Sequence, residues 1–197
     1  MRDLQTARGT SIAPDDAVVA GRRRNGLALI FGGVTLAGLA ADVVTKVVVV
    51  DRLDPESPVR LLGGLLTLRL IRNPGAAFSQ GPHLTYVFAL AGIVVLLFVI
   101  LRLVPRLGHI GWSVALGLLC AGVAGNLTDR LFRRPGVLRG HVVDFIQLPH
   151  FAIFNVADMC ITSAAVLIMV LSVVKNVAVT GERYQRAGKQ PAVKKDG

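Results

Sequence analysis

Apolar residues are concentrated in four long stretches of the chain, and shorter polar segments separate them. The stretches run from Gly26 to about Val50, from about Pro82 to Leu101, from Ile110 to Thr128, and from about Phe151 to Val174. The charged residues within them are Asp42 and Lys46 in the first and Asp158 in the fourth. Each stretch supplies the roughly 20 helical residues that cross a hydrocarbon layer about 30 Å thick. The pattern therefore predicts four transmembrane helices.

The first stretch has an alternative interpretation. Three consecutive arginines (residues 22–24), an apolar run and then Gly38-Leu39-Ala40-Ala41 resemble a cleavable signal peptide. However, apolar residues resume after Asp42 and continue to Val50, which favours a complete membrane span.

The first connection between spans contains the pattern of a β-strand. Leu66, Leu68 and Leu70 alternate with other residues, and turn-forming glycines and an Asn-Pro-Gly sequence flank them. A strand must pair or it leaves open edges, so we expect a short hairpin or curled sheet. The predicted fold is an all-α membrane protein with four transmembrane helices and a small β element, or cradle, in the first outer loop.

Composition supports a membrane protein and argues against a nucleic-acid partner. Hydrophobic residues make up 53% of the chain, charged residues 17%, and the mean hydropathy is +0.60. A water-soluble domain of 197 residues needs more polar surface than this. The formal charge is +10, but the basic residues lie at the termini and in short loops and form no long basic stripe. Such residues are typical of membrane orientation and of contact with anionic lipid.

The distribution of Lys and Arg predicts the orientation. With the N-terminus inside, 13 of the 22 basic residues lie on the inner side, which favours two cytoplasmic termini. The long connections, about 51–81 and 129–150, then face outward. Residues 1–25 are predicted to be a disordered cytoplasmic extension, residues 26–175 the membrane domain, and residues 176–197 a cytoplasmic tail.

Two groups of polar residues in the spans have both a structural and a functional interpretation. Asp42 and Lys46 share a helix face at the favourable acid-before-base spacing, which predicts an ion pair and leaves a role in substrate binding open. Asn126, Asp129 and Arg130 end the third span. They are interpreted as a polar helix end with a local ion pair, or as an anchor for the following loop.

Two further acids indicate chemistry. Asp144 is the single acid of an apolar run just before the fourth span, and Asp158 lies within that span, three residues after Asn155. Both are expected at the same membrane level. Two carboxylates brought close together cannot both ionise, so one keeps a proton and the other acts as a base. Hydrolysis of a peptide bond by an aspartyl pair requires this arrangement.

Taken together, the motifs closely resemble those of the lipoprotein signal peptidase family, also called signal peptidase II. The motifs are Asp42 with Lys46; Asn73-Pro74-Gly75-Ala76-Ala77-Phe78; Gly125-Asn126 with Asp129-Arg130; Val142-Val143-Asp144-Phe145; and Phe154-Asn155-Val156-Ala157-Asp158. They occur in the family's order on four spans, from about Gly26 to Val174.

The resemblance implies an aspartyl endopeptidase of bacterial inner membranes that removes the signal peptide from prolipoproteins, immediately before a cysteine that carries diacylglycerol. It implies Asp144 and Asp158 as the catalytic pair and implies no metal or organic cofactor. From the deduced topology we expect the site near the outer face, and we expect a monomer surrounded by membrane lipid. It also implies substrate-binding or supporting roles for the remaining motif residues: Asp42, Lys46, Asn73, Gly75, Asn126, Asp129, Arg130 and Asn155.

Two features depart from the family pattern, and one rival function remains. The segment between Asp129 and Asp144, which contains Arg133-Arg134-Pro135-Gly136, is longer than expected, and the N-terminal extension is unusual. Acids within membrane spans also occur in small transporters and proton relays. Against such a protein, the charges cluster at one membrane face and no repeat relates the two halves.

Overall fold

The computed structural model describes residues 14–75 and 83–183, which contain four long helices and one three-stranded sheet. The helices are α1 (Pro14–Arg52), α2 (His83–Phe98), α3 (Ile110–Phe132) and α4 (Val156–Met169), and the strands are β1 (Val59–Leu61), β2 (Leu66–Asn73) and β3 (Val142–Gln147). Irregular helical turns extend α2 to Arg106 and α4 to Val174. The membrane-spanning segments are Arg24–Arg52, Thr85–Arg106, Ile110–Phe132 and Val156–Val174. The predicted four-span helical membrane fold with a small β element is confirmed.

The chain ends differ in part from the sequence prediction. Helix α1 begins at Pro14, so residues 14–25 are helical rather than disordered. Proline suits a helical first turn because its missing N–H would have no intrahelical partner there. The rest of the predicted extension, residues 1–13, and the tail residues 184–197 lie outside the described part of the chain.

Helix α3 forms the centre of the bundle and packs against each of the other three helices. Half of its most apolar segment is buried, compared with 11% for α1 and for α2. Small residues allow this close packing, as is common between membrane helices. Added at Gly117, a Cβ atom would lie 3.0 Å from the Val34 side chain of α1, and one at Gly122 would lie 2.6 Å from Ile161 of α4.

The three strands form an antiparallel sheet in the order β1-β2-β3. The alternating leucines predicted β2 correctly, and β1 pairs with it through a turn in which Gly63 and Gly64 adopt positive φ angles of 67° and 95°. The third strand was not predicted, because it comes from the second connection and its residues 142–145 are all buried. A strand that is buried on both faces lacks the alternation that identifies a half-buried strand.

Apolar contacts fasten the sheet to one end of the bundle, which we call the sheet end. Val49 of α1, Leu70 of β2, and Val143 and Phe145 of β3 form a buried cluster there. Helix α4 begins at Val156, later than the fourth apolar stretch, because Phe154 pairs with Ile146 of β3. The sheet therefore brings β3 beside the first turn of α4.

We expect Gly122→Ala to destabilise the bundle, because the added methyl group would collide with the Ala157 carbonyl oxygen and the Ile161 side chain. Overpacking of this kind costs about 1–3 kcal/mol. The test is the thermal unfolding temperature of the purified protein in detergent. Gly33→Ala is the matched control, because its Cβ would have nothing within 4 Å. Equal unfolding temperatures for the two variants would contradict the packing described here.

Candidate active site

The Asp144 carboxylate lies on β3 and is almost completely buried, with 4% of the residue exposed. Its Oδ2 accepts a hydrogen bond of 2.9 Å from Asn73 Nδ2 at the end of β2. Its Oδ1 accepts one of 2.6 Å from Asn155 Nδ2, just before α4. Neutral amides from two different elements therefore fix both carboxylate oxygens.

The Asp158 carboxylate lies in the first turn of α4, where it takes part in a reciprocal cap with Asn155. Asp158 Oδ2 accepts from the Asn155 backbone N–H at 3.2 Å, and Asn155 Oδ1 accepts from the Asp158 backbone N–H at 3.0 Å. The other oxygen, Oδ1, accepts from Asn126 Nδ2 of α3 at 2.9 Å. The cap satisfies backbone groups that a helix start would otherwise leave unpaired.

Asn155 and Asn126 connect the two carboxylates. Asn155 Nδ2, which donates to Asp144, also lies 3.2 Å from Asn126 Oδ1, and Asn126 in turn donates to Asp158. The structure thus brings together both predicted catalytic residues and three predicted supporting asparagines. The two carboxylates are close enough for the charge of Asp158 to favour the protonated form of Asp144, as an acid–base pair requires.

Lys46 occupies the centre of a second, ionic cluster beside this network. Its Nζ lies 2.8 Å from Asp42 Oδ2, 2.9 Å from Asp129 Oδ2 and 3.0 Å from Asn126 Oδ1. Because only 1% of Lys46 is exposed, the ammonium group has exchanged its water for these three acceptors. The geometry favours the structural interpretation of the Asp42–Lys46 pair.

Within residues 14–75 and 83–183, no group of three or more His, Cys, Asp and Glu could hold a metal ion.

The two acids bound to Lys46 also reach neighbouring elements. Asp42 Oδ1 accepts from the Ala157 backbone N–H of α4 at 2.8 Å, and Asp129 Oδ2 accepts from the Val143 N–H of β3 at 3.1 Å. Asp129 Oδ1 forms an ion pair with Arg133 one turn further along. Sequence reasoning did not assign Arg133 to the site, although its spacing of four from Asp129 is the usual helical pairing signal.

The predicted local ion pair between Arg130 and Asp129 is wrong. Asp129 pairs with Lys46 and Arg133 instead, while the Arg130 guanidinium lies over the ring of Phe88 of α2, 5.4 Å from its centroid. Its Nη1 is buried and has no hydrogen-bond partner among the residues that the structure describes. A buried guanidinium nitrogen of this kind is available to a group that enters the site.

The turn after β2 connects the site to α2. Asn73 Oδ1 accepts from the Gly75 backbone N–H at 2.9 Å, and Thr85 Oγ1 of α2 donates to the Pro74 carbonyl at 2.6 Å. Gly75 has a positive φ of 104°, and a Cβ atom there would lie 3.3 Å from the Phe88 ring, so both conformation and space favour glycine. The remaining residues of this predicted motif, 76–78, lie outside the described part of the chain.

Burial raises the pKa of Asp144 from 3.8 to about 6. The hydrogen bonds from Asn73 and Asn155 oppose this increase, because they stabilise the charged carboxylate, and the nearby charge of Asp158 adds to it. Asp144 can therefore gain or lose a proton close to neutral pH.

Comparisons with known proteins give a consistent family. The model of the family described as signal peptidase (SPase) II matches residues 34–174. A lipoprotein signal peptidase of Streptomyces griseus is 44% identical over 170 residues, which cover 85% of this chain and 84% of the relative. One from Rhodococcus jostii is 41% identical over 162 residues, covering 82% and 79%, and one from Mycobacterium avium is 47% identical over 137 residues, covering 68% and 74%.

A solved structure also matches the fold. It is a bacterial membrane enzyme determined by the in meso method, 27% identical in sequence, with a TM-score of 0.57 over 71% of this chain and 90% of that one. The segment matched by the family model contains all of the polar site residues described above, from Asp42 to Asp158. This multi-pass membrane protein therefore belongs to the signal peptidase II family.

Proposed function

We propose that the protein is an intramembrane aspartyl endopeptidase. Its substrates would be diacylglyceryl-modified prolipoproteins, from which it removes the signal peptide by cutting before the lipidated cysteine. The observation that carries this proposal is the pair of carboxylates, Asp144 and Asp158, tied to each other through Asn155 and Asn126. The names of the relatives agree with the substrate class.

The charges around the pair support a single shared proton. Lys46, Arg130 and Arg133 carry three positive charges, and Asp42 and Asp129, both ion-paired, carry two negative charges. One excess positive charge remains, and a catalytic pair with one proton carries one negative charge and balances it. Buried charges are costly unless they are compensated, so this state is preferred over a doubly ionised pair.

The surroundings of the two carboxylates suggest a division of roles. Burial raises the pKa of Asp144 to about 6, so this carboxyl group keeps a proton closer to neutral pH than an ordinary aspartic acid does. Asp158 lies at the N-terminus of α4, where the helix dipole and the Asn155 backbone N–H stabilise a negative charge. We therefore assign Asp144 as the acid and Asp158 as the base.

The reaction then proceeds in two steps. Asp158 removes a proton from a water molecule, whose oxygen attacks the carbonyl carbon of the scissile peptide bond, while Asp144 donates its proton to the carbonyl oxygen. The tetrahedral intermediate collapses as the nitrogen takes the proton held by Asp158 and the carbon–nitrogen bond breaks. Asp144 recovers a proton from the intermediate, so the pair ends with one proton, as it began.

A cavity of about 240 Å³ supplies a route for the substrate from the membrane. It lies between α2, α3 and α4, and its lining is largely apolar: Phe88, Ala91, Gly92, Val95, Val123, Asn126, Leu127, Arg130 and Ile161. Asn126 is its link to the two carboxylates. Apolar chains could therefore enter sideways from the lipid while a peptide carbonyl reaches the polar residues.

We further propose that the protein is a monomer in the bacterial inner membrane, with both termini cytoplasmic and the sheet end facing outward. The distribution of basic residues supports this orientation. In this orientation, the site would lie near the outer membrane surface, where the lipidated cysteine of a substrate is expected.

The bundle offers little support for the rival transporter or proton relay. At the end opposite the sheet, the core is an apolar cluster that includes Leu27, Val99, Trp112, Leu116 and Leu171. A proton or ion path needs polar groups along its length. The described polar residues of the site instead gather at the sheet end.

We expect Asp144→Asn and Asp158→Asn each to reduce cleavage by at least about a thousandfold. An amide at position 158 cannot act as the base that takes a proton from water, and an amide at position 144 cannot act as the acid that protonates the carbonyl oxygen. Cleavage of a diacylglyceryl-modified prolipoprotein by purified protein in detergent measures this. Asp51→Asn is the matched control, because Asp51 is exposed and pairs only with exposed Arg52 among the described residues. Near-normal turnover by either site variant would refute the proposed pair.

The pH dependence follows from the pKa of Asp144. Because the protonated form is the active one, kcat/KM should fall as the pH rises through about 6. Asn73→Ala removes a donor that stabilises the ionised carboxylate, so it should raise the pKa and move this decline to higher pH. Asn25→Ala, at an exposed position of α1, is the control. A decline that stays at the same pH in Asn73→Ala would show that Asp144 does not control it.

We expect Lys46→Met to destabilise the protein by about 3–5 kcal/mol, because Asp42 and Asp129 would be left as buried acids without their shared cation. Unfolding in detergent measures the loss. Lys175→Met, at an exposed position near the opposite end of the bundle, is the control. If Lys46→Met kept full stability and lost only substrate affinity, the lysine would bind substrate rather than support the fold.

A further inference from the structure

A basic pocket lies beside the site at the sheet end, outside the network that holds the two carboxylates. Its volume is about 640 Å³, and its lining consists of Arg72, Phe132, Arg133, Arg134, Pro135 and His141. Three arginines and a histidine thus converge from the end of β2, the end of α3 and the following loop. This loop is the one that departs from the family pattern, and the peptidase mechanism makes no use of Arg72 or Arg134.

The positive charge of this pocket is largely uncompensated. Arg133 is the member that has an ion pair, with Asp129, whose carboxylate is also shared with Lys46. Arg72 and Arg134 are exposed, and neither forms an ion pair with any residue that the structure describes. Adjacent guanidinium groups without acidic partners repel one another, and an anion in the pocket relieves that repulsion.

The pocket also lies at the end of a membrane span, where lipid headgroups are expected. The third membrane span ends at Phe132, and Arg133 and Arg134 follow it directly in the chain. The Phe132 side chain is 81% exposed, so it contacts what surrounds the protein rather than the core. An aromatic ring at the end of a span, next to arginines, is the arrangement that meets acyl chains on one side and phosphates on the other.

These arginines are unexpected from membrane topology alone. In the proposed orientation they lie on the outer side, where Lys and Arg are normally depleted. A loop hydrogen bond from His141 N–H to the Arg134 carbonyl, 3.1 Å long, keeps the two ends of the pocket together. These basic residues oppose the proposed membrane orientation, and yet a defined loop holds them in place. This combination points to a binding role.

We propose that this pocket binds the phosphate of an anionic phospholipid, with the lipid's acyl chains against Phe132. Arg72 and Arg134 would contact the phosphate, since guanidinium groups form strong paired hydrogen bonds with phosphate oxygens. The lipid would belong to the leaflet at the sheet end. This proposal stands independently of the peptidase mechanism, because it uses no residue of the catalytic pair.

The test is native mass spectrometry of the detergent-purified protein with added phosphatidylglycerol or phosphatidylcholine. We expect one phosphatidylglycerol to be retained preferentially, and Arg72→Gln/Arg134→Gln to weaken its binding roughly tenfold to thirtyfold, at about the contribution expected for two arginines near a lipid surface. Phe132→Ala should weaken binding of the lipid but leave the affinity for inorganic phosphate unchanged.

Arg60→Gln/Arg69→Gln is the matched control, because these arginines lie on the same sheet and line a different groove, beside His150. Equal losses in the two double variants would mean that only net charge matters and would overturn the site. Equal retention of phosphatidylcholine and phosphatidylglycerol by the wild type would also overturn it. Competition by inorganic phosphate at the concentration of the lipid would show a soluble-anion site instead. Thermal unfolding of each variant separates loss of binding from loss of fold.

Discussion

The buried ammonium group of Lys46 is the interaction on which the arrangement of the site depends. An isolated charge at this depth would be very unfavourable, so the helices must supply acids to it. Asp42 comes from α1 and Asp129 from α3, and their second oxygens hold the backbones of α4 and the Arg133 side chain. One cation thereby fixes the relative position of three spans. The polar side chains that hold Asp144 and Asp158 are then positioned by backbones that cannot shift independently.

Asp42 and Asp129 have ionic partners, whereas Asp144 and Asp158 have neutral amide partners, and this difference has a chemical reason. Cations directly paired with both proposed catalytic carboxylates would favour the ionised form of each, whereas the proposed reaction needs one of them protonated. Asparagine amides hold the same oxygens without adding charge, so they position Asp144 and Asp158 without placing a cation against either carboxylate. Asn126 links the two clusters, because its oxygen accepts from Lys46 while its nitrogen donates to Asp158. The ion-paired cluster that supports the helices and the neutral network around the proposed catalytic pair are thus separate but adjacent.

Local patterns predicted most of this fold, and long-range pairing explains what they missed. The four apolar stretches and the alternating leucines of β2 identified the spans and a strand, and the spacing of Asp42 and Lys46 predicted their ion pair. Strand β3 was not predicted, because a strand that is buried on both faces does not alternate between apolar and polar residues. Because Asp129 and Arg130 are adjacent in the sequence, they were predicted to form an ion pair. Helix packing instead brings Lys46 of α1 to Asp129. The contacts of Arg130 with Phe88 depend on how α2 packs and have no sequence signal.

The two proposed catalytic carboxylates are distributed between a strand and the last helix, and this has a consequence for the synthesis of the protein. Asp144 is tied by Asn73 and Asn155, and Asp158 enters only with the first turn of α4. Neither the first three spans nor the sheet alone contains both carboxylates. While the ribosome is still producing the chain, the nascent protein therefore lacks the proposed catalytic pair, which is complete only when the final span has joined the others in the lipid.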